Sequence, residues 1–259
     1  MPLVQSEIDA QTGILTLDDA PRRNALSEAL VDELVEGLAR LQAAKVPVVI
    51  LRAADGAQVW SAGHNIRELP RTHRDPLGYA DALERLLRAV QAYPGPVIAM
   101  VQGSVWGGAC DLVMTCDLCV GDDSAAFAIT PAKLGIPYNS TGILHFMNRL
   151  PLNIAKEMFF TADLVPAERA ERVGILNHRV PASELFAFTR GLAARIAARS
   201  ALSVQVIKEQ FRLLAEAHPL SPAVFERIQG LRRQVYDSHD YEEGIRSFIE
   251  KRPPVFRGE

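Results

Sequence analysis

Two glycine-containing segments, residues 60–70 and 101–111, hold the residue types best suited to chemistry. The first places Gly63 beside His64, the second contains Gly108, and each segment follows an apolar, strand-like run. Glycine lets the backbone approach a ligand closely, and the start of a helix leaves backbone N–H groups without partners. Two such N–H groups aimed at one oxygen form an oxyanion hole. The pattern therefore predicts chemistry in which a carbonyl oxygen becomes negatively charged.

The composition limits the protein to a few classes. Its 259 residues are 48% hydrophobic, which suits one large domain or one domain with a small appendage. The net charge of −3 provides no broad field that would attract nucleic acid or an anionic membrane. No run approaches the roughly 18 apolar residues of a transmembrane helix, and the first residues do not resemble a signal peptide. We therefore expect a cytoplasmic protein without nucleic-acid or membrane partners.

Three cysteines lie close together in the sequence, at Cys110, Cys116 and Cys119. Such a cluster can bind a metal or act in redox chemistry, or it can fill an apolar core. The odd number and the lack of a nearby histidine pair at ligand spacing favour packing. We therefore predict buried thiols on a helix and on the strand after it, and no metal site.

The first half of the chain alternates strand-like and helix-like patterns. Residues 3–8 and 14–17 predict a hairpin around a polar turn. The next segment has its leucine and valine residues on one helical face, with Asn24 or Ser27 as the N-cap. Further strands are predicted at residues 48–51, 96–101, 118–120 and 126–129, and helices at 80–90 and 108–115. This alternation predicts an α/β core.

From about residue 141 the pattern becomes mainly helical. Gly174 follows one of these helices at a position that suits a C-cap. The predicted helices cover residues 157–161, 167–173, 183–199, 203–217, 222–236 and 241–251. A helical C-terminal third is therefore expected to follow the α/β core.

Several motifs, in order along the chain, resemble those of the crotonase (enoyl-CoA hydratase/isomerase) superfamily. They are the two glycine segments with their spacing, PRRNAL at 21–26, AERA at 167–170, VGIL at 173–176 and EGIRSFIEKRPP at 243–254. The resemblance spans nearly the whole chain. It implies a spiral of ββα turns, residues 1–195, and a helical region, residues 196–259, that contacts coenzyme A and assembles homotrimers or dimers of trimers.

Members of this superfamily bind acyl-CoA thioesters. The segments SAGH at 61–64, GSVWGGA at 103–109, TP at 130–131 and LGIPYN at 134–139 most resemble members that decarboxylate methylmalonyl-CoA. By resemblance, the backbone N–H groups of His64 and Gly108 form the oxyanion hole, and Tyr138 hydrogen-bonds the carboxylate that leaves as carbon dioxide. Asp111 occupies a further catalytic position, where the family has glutamate, and Asn65 stands where aspartate is expected. The resemblance places substrate binding at Arg22, Ala25, Ala62, Ile66, Trp106, Thr130, Ile136, Phe248 and Lys251.

The residues at these positions favour decarboxylation over hydration. A hydratase needs proton-transfer groups on both sides of the reacting carbons, and two glutamates supply them in the family. Here Asp111 takes the first position, and Ala132, which cannot move a proton, takes the second. Decarboxylation needs no base to begin, because the bonding electrons pass onto the thioester as an enolate. A wall of Ile129, Ile136 and Trp106 is expected to desolvate the carboxylate.

Two alternatives stay open at this point. One is an enoyl-CoA hydratase or isomerase that uses Asp111 alone, and the other is a non-catalytic member that binds acyl-CoA or RNA. The substrate's acyl group stays open among malonyl-type thioesters, and no cofactor is expected because coenzyme A belongs to the substrate. The other histidines carry no motif and are interpreted as surface or capping residues: His73, His145, His178, His218 and His239.

Overall fold

The computed structural model describes residues 2–70, 73–215, 217 and 220–259. Its strands are β1 (Val4–Asp9), β2 (Thr12–Leu17), β3 (Val48–Ala53), β4 (Val59–Ser61), β5 (Val97–Val101), β6 (Ser104–Trp106), β7 (Leu118–Gly121), β8 (Ala126–Ala128), β9 (Val165–Pro166) and β10 (His178–Arg179). Its helices are α1 (Glu28–Ala43), α2 (Ala82–Ala92), α3 (Gly108–Thr115), α4 (Ser140–Met147), α5 (Leu152–Thr161), α6 (Ala167–Val173), α7 (Leu185–Ala197), α8 (Ala201–Ala215), α9 (Pro222–Tyr236) and α10 (His239–Glu250). The predicted α/β class is confirmed.

The chain builds two sheets by repeating a ββα turn. Strands β3, β5 and β7 are parallel neighbours in a six-stranded sheet of order β1-β2-β3-β5-β7-β10. The strand that follows each of them, β4, β6 or β8, joins a second sheet of order β4-β6-β8-β9. A helix follows β4 and β6, as α2 and α3. The expected spiral is therefore present, and the loops after β4 and β6 leave from neighbouring strands.

The six-stranded sheet is covered on both faces, as parallel sheets usually are. Side chains alternate along each strand, so Val49 and Leu51 of β3 join the main core with α1 and α2. Val48 and Ile50 point the other way and pack with Leu185 of α7. The central strands therefore read as continuous apolar runs, and two of them, β3 and β5, lead directly into β4 and β6, which the site loops follow.

Helix α1 shows which of two candidate caps the fold uses. Ser27 is the N-cap, and its side chain accepts a hydrogen bond from the backbone N–H of Leu30 at 3.4 Å. Asn24 has a positive φ of 50° and instead ties two loops together. Its side chain accepts from the N–H of Asp19 and donates to the carbonyl of Trp60, at 2.8 and 2.9 Å. Asn24 thus anchors the chain beside β4.

Helix α4 is the main element that the sequence prediction missed. It spans only eight residues and begins Ser-Thr-Gly, which are weak helix formers. Asn139 caps it by accepting a hydrogen bond from the N–H of Gly142 at 2.7 Å. Helix α5 also begins earlier than predicted, at Leu152. The two-residue strands β9 and β10 carry no sequence pattern, because only pairing with β8 and β7 defines them.

The C-terminal helices leave a large apolar surface exposed. No residue of α8 is buried among its described positions. Leu202, Phe211 and Leu214 on this helix are 71%, 71% and 74% exposed. Within the described ranges, no helix combines the length and the hydropathy that a membrane span requires.

Candidate active site

The loops after β4 and β6 bring two backbone amides side by side. Gly63 has φ +81°, and a Cβ built on it would overlap the carbonyl oxygen of Trp106 and lie 3.0 Å from the nitrogen of Gly108. A Cβ built on Gly108 would lie 3.5 Å from the nitrogen of His64. Only glycine at position 63 permits this approach. The amide nitrogens of His64 and Gly108 are therefore close neighbours.

The hydrogen bonds around these two amides set their direction. The carbonyl of Gly63 accepts from the N–H of Leu26 at 2.8 Å, and the carbonyl of Gly107 accepts from the N–H of Cys110 at 2.9 Å. In a trans peptide the C=O and the following N–H point in opposite directions. The N–H groups of His64 and Gly108 therefore point away from these bonds. Because Gly108 is the first residue of α3, its N–H has no partner within the helix.

Both amides border a small, mostly apolar cavity. Its volume is about 40 Å³. Five predicted residues besides the amide pair lie in its wall: Ala62, Ile66, Thr130, Ile136 and Tyr138. The remaining wall is formed by Leu69, Leu77, Leu83, Gly107, Pro131 and Leu134. Among the described residues that line the cavity, only His64 and Tyr138 can ionise.

The imidazole of His64 is held in place beside the cavity. Its Nε2 lies 2.9 Å from Oδ2 of Asp81, and its Nδ1 lies 3.2 Å from the carbonyl oxygen of Asn65. Burial opposes the charged form, but the hydrogen bond and the negative charge of Asp81 outweigh it and raise the pKa of His64 above its ordinary value. Asp81 also caps α2 through the N–H of Leu83, at 2.9 Å.

A buried hydrogen-bonded cluster lies behind Tyr138. The Tyr138 hydroxyl donates to Oδ2 of Asp111 at 2.7 Å, and Nδ1 of His145 lies 2.6 Å from Oδ1 of the same carboxylate. A Cβ on Gly142 would overlap the Tyr138 ring and lie 2.6 Å from Asp111 Oδ2. Gly142 therefore creates the space in which the cluster forms. Thr115 supports it, since its hydroxyl donates to the carbonyl of Asp111 at 2.9 Å.

The electrostatics of this cluster keep Tyr138 protonated. Burial raises the pKa of Tyr138 well above its ordinary value, and the charge of Asp111 raises it further. Glu84, on the neighbouring helix α2, also has a raised pKa because it is buried, although the side-chain amide of Asn139 donates to it at 2.6 Å and partly offsets that effect. Burial at this site therefore favours the protonated forms of both Tyr138 and Glu84.

Some predicted residues lie away from the cavity wall. Ile129 is fully buried in the core, so only Ile136 of the predicted apolar wall lines the cavity. The indole of Trp106 donates to Ser104 at 2.8 Å, and it is the backbone of Trp106 that approaches Gly63. Arg22 and Ala25 precede α1, Phe248 lies on α10 with 52% exposure, and Lys251 caps that helix in a left-handed conformation. Ala132 is exposed outside the cavity.

The interpretation of His145 as a surface or capping residue is wrong. Its side chain is 9% exposed and contacts the carboxylate of Asp111. The residue was missed because helix α4 was missed; the Asn139 cap after Pro137 was the available signal. His73 is exposed, as predicted, and pairs with Asp237, whereas His218 lies outside the described residues.

The prediction that the three cysteines are buried packing residues is confirmed. Cys110, Cys116 and Cys119 are buried and free. Burial raises the pKa of all three thiols, that of Cys119 to about 12, so they are held as neutral, unreactive groups. Their contribution is to the packing of α3 and β7.

The chain is similar to proteins of known activity along nearly its whole length. It is 45% identical over 248 residues to methylmalonyl-CoA decarboxylase of Escherichia coli K12, covering 96% of this chain and 95% of that protein. A structure of methylmalonyl-CoA decarboxylase with 2-nitronate-propionyl-CoA has a TM-score of 0.98, with 44% identity and 99% of each chain covered. A second, complexed with 2S-carboxypropyl-CoA, also has a TM-score of 0.98, with 43% identity, covering 100% of this chain and 99% of that one.

A family model also matches nearly the whole chain. The enoyl-CoA hydratase/isomerase model matches residues 7–259, which includes both glycine loops, the cavity and the C-terminal helices. The order of motifs and the ββα spiral agree with this match. The chain belongs to the enoyl-CoA hydratase/isomerase family, the crotonase superfamily.

Proposed function

We propose that this protein decarboxylates methylmalonyl-CoA to propionyl-CoA and carbon dioxide. The observation that carries the proposal is the pair of neighbouring amides, His64 and Gly108, at a small cavity whose described wall holds no carboxylate. The relatives named above support it, because they are methylmalonyl-CoA decarboxylases and their structures hold acyl-CoA analogues. The reaction uses no cofactor beyond the coenzyme A of its substrate.

The amide pair supplies the main stabilisation. When the bond between C2 and the carboxylate breaks, its electrons move onto the thioester oxygen and form an enolate. The N–H groups of His64 and Gly108 would donate to that oxygen, and each such donor contributes about 2.7–4 kcal/mol to the transition state. The N-terminus of α3, which begins at Gly108, adds about 0.3–1 kcal/mol through the helix dipole.

The opposite wall would hold the carboxylate that leaves. Tyr138 and Thr130 line the cavity and carry hydroxyl groups that can hydrogen-bond a carboxylate. Held out of the thioester plane, the breaking bond overlaps the carbonyl π system, which is a positioning effect. The apolar side chains of Ile136 and Leu83 leave the carboxylate poorly solvated, so its loss as neutral carbon dioxide is favoured. Asp111 does not line the cavity and would act by accepting the hydrogen bond of the Tyr138 hydroxyl, which orients that group.

The coenzyme A part of the substrate would extend beyond the cavity. We assign its recognition to Arg22 and Ala25 in the loop before α1, and to Phe248 and Lys251 of a neighbouring subunit. Assembly into a trimer or a dimer of trimers would cover the exposed apolar side chains of α8. Residues 1–195 would then carry the active site and residues 196–259 the assembly contacts, in a cytoplasmic enzyme.

The geometry gives little support to hydration or isomerisation. Both oxygens of Asp111 are already hydrogen-bonded, to Tyr138 and His145, and Asp111 does not line the cavity. A hydratase needs two proton-transfer groups at the reacting carbons. Ala132, at the second family position, supplies none.

A pair of substitutions at Gly108 tests the proposal. Gly108→Pro removes the N–H at the first position of α3, where proline is well tolerated. Gly108→Ala keeps the N–H and introduces the same Cβ, which meets the flexible tip of Leu83 and lies in ordinary contact with His64, 3.5 Å from its nitrogen. With methylmalonyl-CoA we expect the proline variant to lose about 10²–10³-fold in kcat relative to the alanine variant. Equal rates in the two variants would remove Gly108 N–H from the mechanism.

A further inference from the structure

A chain of hydrogen bonds runs from the cavity into the protein through Tyr138. The Tyr138 hydroxyl meets Asp111 Oδ2 at 2.7 Å, Asp111 Oδ1 meets His145 Nδ1 at 2.6 Å, and His145 Nε2 meets Gln91 Nε2 at 3.0 Å. Each link has hydrogen-bond length. The contacts therefore form a continuous hydrogen-bonded path from Tyr138 to His145, with Gln91 at its far end.

The direction of the first bond matters for the proposed reaction. With its proton directed at Asp111, the Tyr138 oxygen offers only lone pairs to the cavity. A leaving carboxylate or an enolate carbon needs the O–H itself. If the hydroxyl turned toward the cavity while Asp111 stayed ionised, two electron-rich oxygens would face each other at 2.7 Å. A proton on Asp111 removes that repulsion and frees Tyr138 to donate into the cavity.

His145 is placed to supply that proton. Its imidazole lies between Asp111 and a second cavity of about 700 Å³, which Gln91 and Thr115 also line. The amide of Gln91 can present either its NH₂ or its oxygen to Nε2, so it accommodates neutral and protonated His145. Lys208, which lines the same cavity, forms an ion pair with Asp117 at 2.8 Å. The larger cavity therefore connects His145 with water.

We infer that Asp111 and His145 hold and replace the proton that Tyr138 delivers to the enolate. The inference rests on the proposed decarboxylation. Carbon dioxide leaves with no electrons of the broken bond, and the enolate carbon takes the proton of the Tyr138 hydroxyl. Tyr138 takes the proton of Asp111, Asp111 takes one from His145, and His145 takes one from water. One proton is consumed per turnover, and Asp111 and His145 are positioning residues that act through Tyr138.

The inference has a stereochemical consequence. Tyr138 would contact the carboxylate before it leaves, so the proton arrives on the face from which carbon dioxide departed. In D₂O the product would be a single enantiomer of 2-deuteropropionyl-CoA, formed with retention of configuration. Propionyl-CoA incubated with the enzyme in D₂O would exchange one C2 hydrogen, since the other faces away from Tyr138.

The test compares this exchange with bond cleavage in the same variants. His145→Asn keeps a donor near Asp111 but cannot carry the relayed proton, and Asp111→Asn keeps the size of the side chain. We expect the exchange rate of propionyl-CoA, followed by NMR, to fall by about 10²-fold or more in both variants. Single-turnover release of carbon dioxide falls by less than about tenfold, because cleavage itself transfers no proton and loses at most one hydrogen bond from Tyr138 to the carboxylate. A side chain with a purely structural role would lower both rates together.

Further variants separate chemistry from folding. His145→Ala leaves a space open to the 700 Å³ cavity, and added imidazole is expected to restore exchange. His178→Asn changes an exposed histidine on β10 and is expected to behave as wild type. Exchange in His145→Asn within about threefold of wild type would overturn the relay. Wild-type protein that releases no carbon dioxide would instead refute the proposed function, while the exchange experiment would still report on the relay.

Discussion

Substitution of Gly63 by alanine is the sharpest structural test of the amide pair. The new Cβ would fall inside the contact distance of the Trp106 carbonyl oxygen by roughly 1 Å, and would lie 3.0 Å from Gly108 N. The two loops must therefore separate by about that amount. A 1 Å misplacement of catalytic groups costs on the order of 10²-fold in rate, or about 2.7 kcal/mol. We expect kcat for methylmalonyl-CoA to fall by about this factor.

A second glycine provides a matched control for backbone strain. Gly56 also has a positive φ, +77°, but a Cβ there would meet nothing within 4 Å. Gly56→Ala should therefore cost only the left-handed conformation, about 1–2 kcal/mol of unfolding free energy, with kcat unchanged. Urea unfolding and steady-state release of carbon dioxide would be measured on both variants. Wild-type kcat in Gly63→Ala, in a folded protein, would refute the close approach of the loops.

Three further predictions follow from the same contacts. Tyr138→Phe should lower kcat more than it raises KM, as shown by initial rates; an unchanged kcat would exclude this hydroxyl. Gly142→Ala should displace the Tyr138 ring and lower both kcat and Tm, whereas Gly230→Ala in α9 meets open space and should stabilise by about 0.5–1 kcal/mol. The raised pKa of His64 means that its pairing with Asp81 stabilises the fold fully below pH 6.5, and that this stability is lost as the pH rises through the raised value. The difference in unfolding free energy between wild type and His64→Asn, measured in urea from pH 5.5 to 8.5, should therefore shrink as the pH rises; a constant difference would contradict the shift.

The approach of the two loops was predictable because glycine in a turn marks a place where the backbone can come close to another group. Gly63 and Gly108 each follow a buried strand, and parallel neighbours place their following loops together. The strands were also predictable, since continuous apolar runs such as β3 fit a sheet that is covered on both faces. Local sequence therefore predicted the buried strands and two glycine turns that could meet, and the family resemblance named the amides of His64 and Gly108 within them.

The cluster behind Tyr138 depends on tertiary contacts that sequence spacing does not reveal. Asp111 lies 27 residues from Tyr138 and 34 from His145, and only the packing of α3 against α4 brings them together. Helix α4 is short and begins with weak helix formers, so its pattern was faint. The need for glycine at position 142 follows only from its contacts with Tyr138 and Asp111, which the sequence does not show.

The most direct test of the proposed function offers four thioesters to the purified protein side by side. Headspace carbon dioxide and thioester products would be measured with methylmalonyl-CoA, malonyl-CoA, ethylmalonyl-CoA and crotonyl-CoA. We predict carbon dioxide and propionyl-CoA in equal amounts from methylmalonyl-CoA, and no hydration of crotonyl-CoA. Formation of 3-hydroxybutyryl-CoA from crotonyl-CoA, with no carbon dioxide from any malonyl-type thioester, would contradict the account and assign the cavity to hydration.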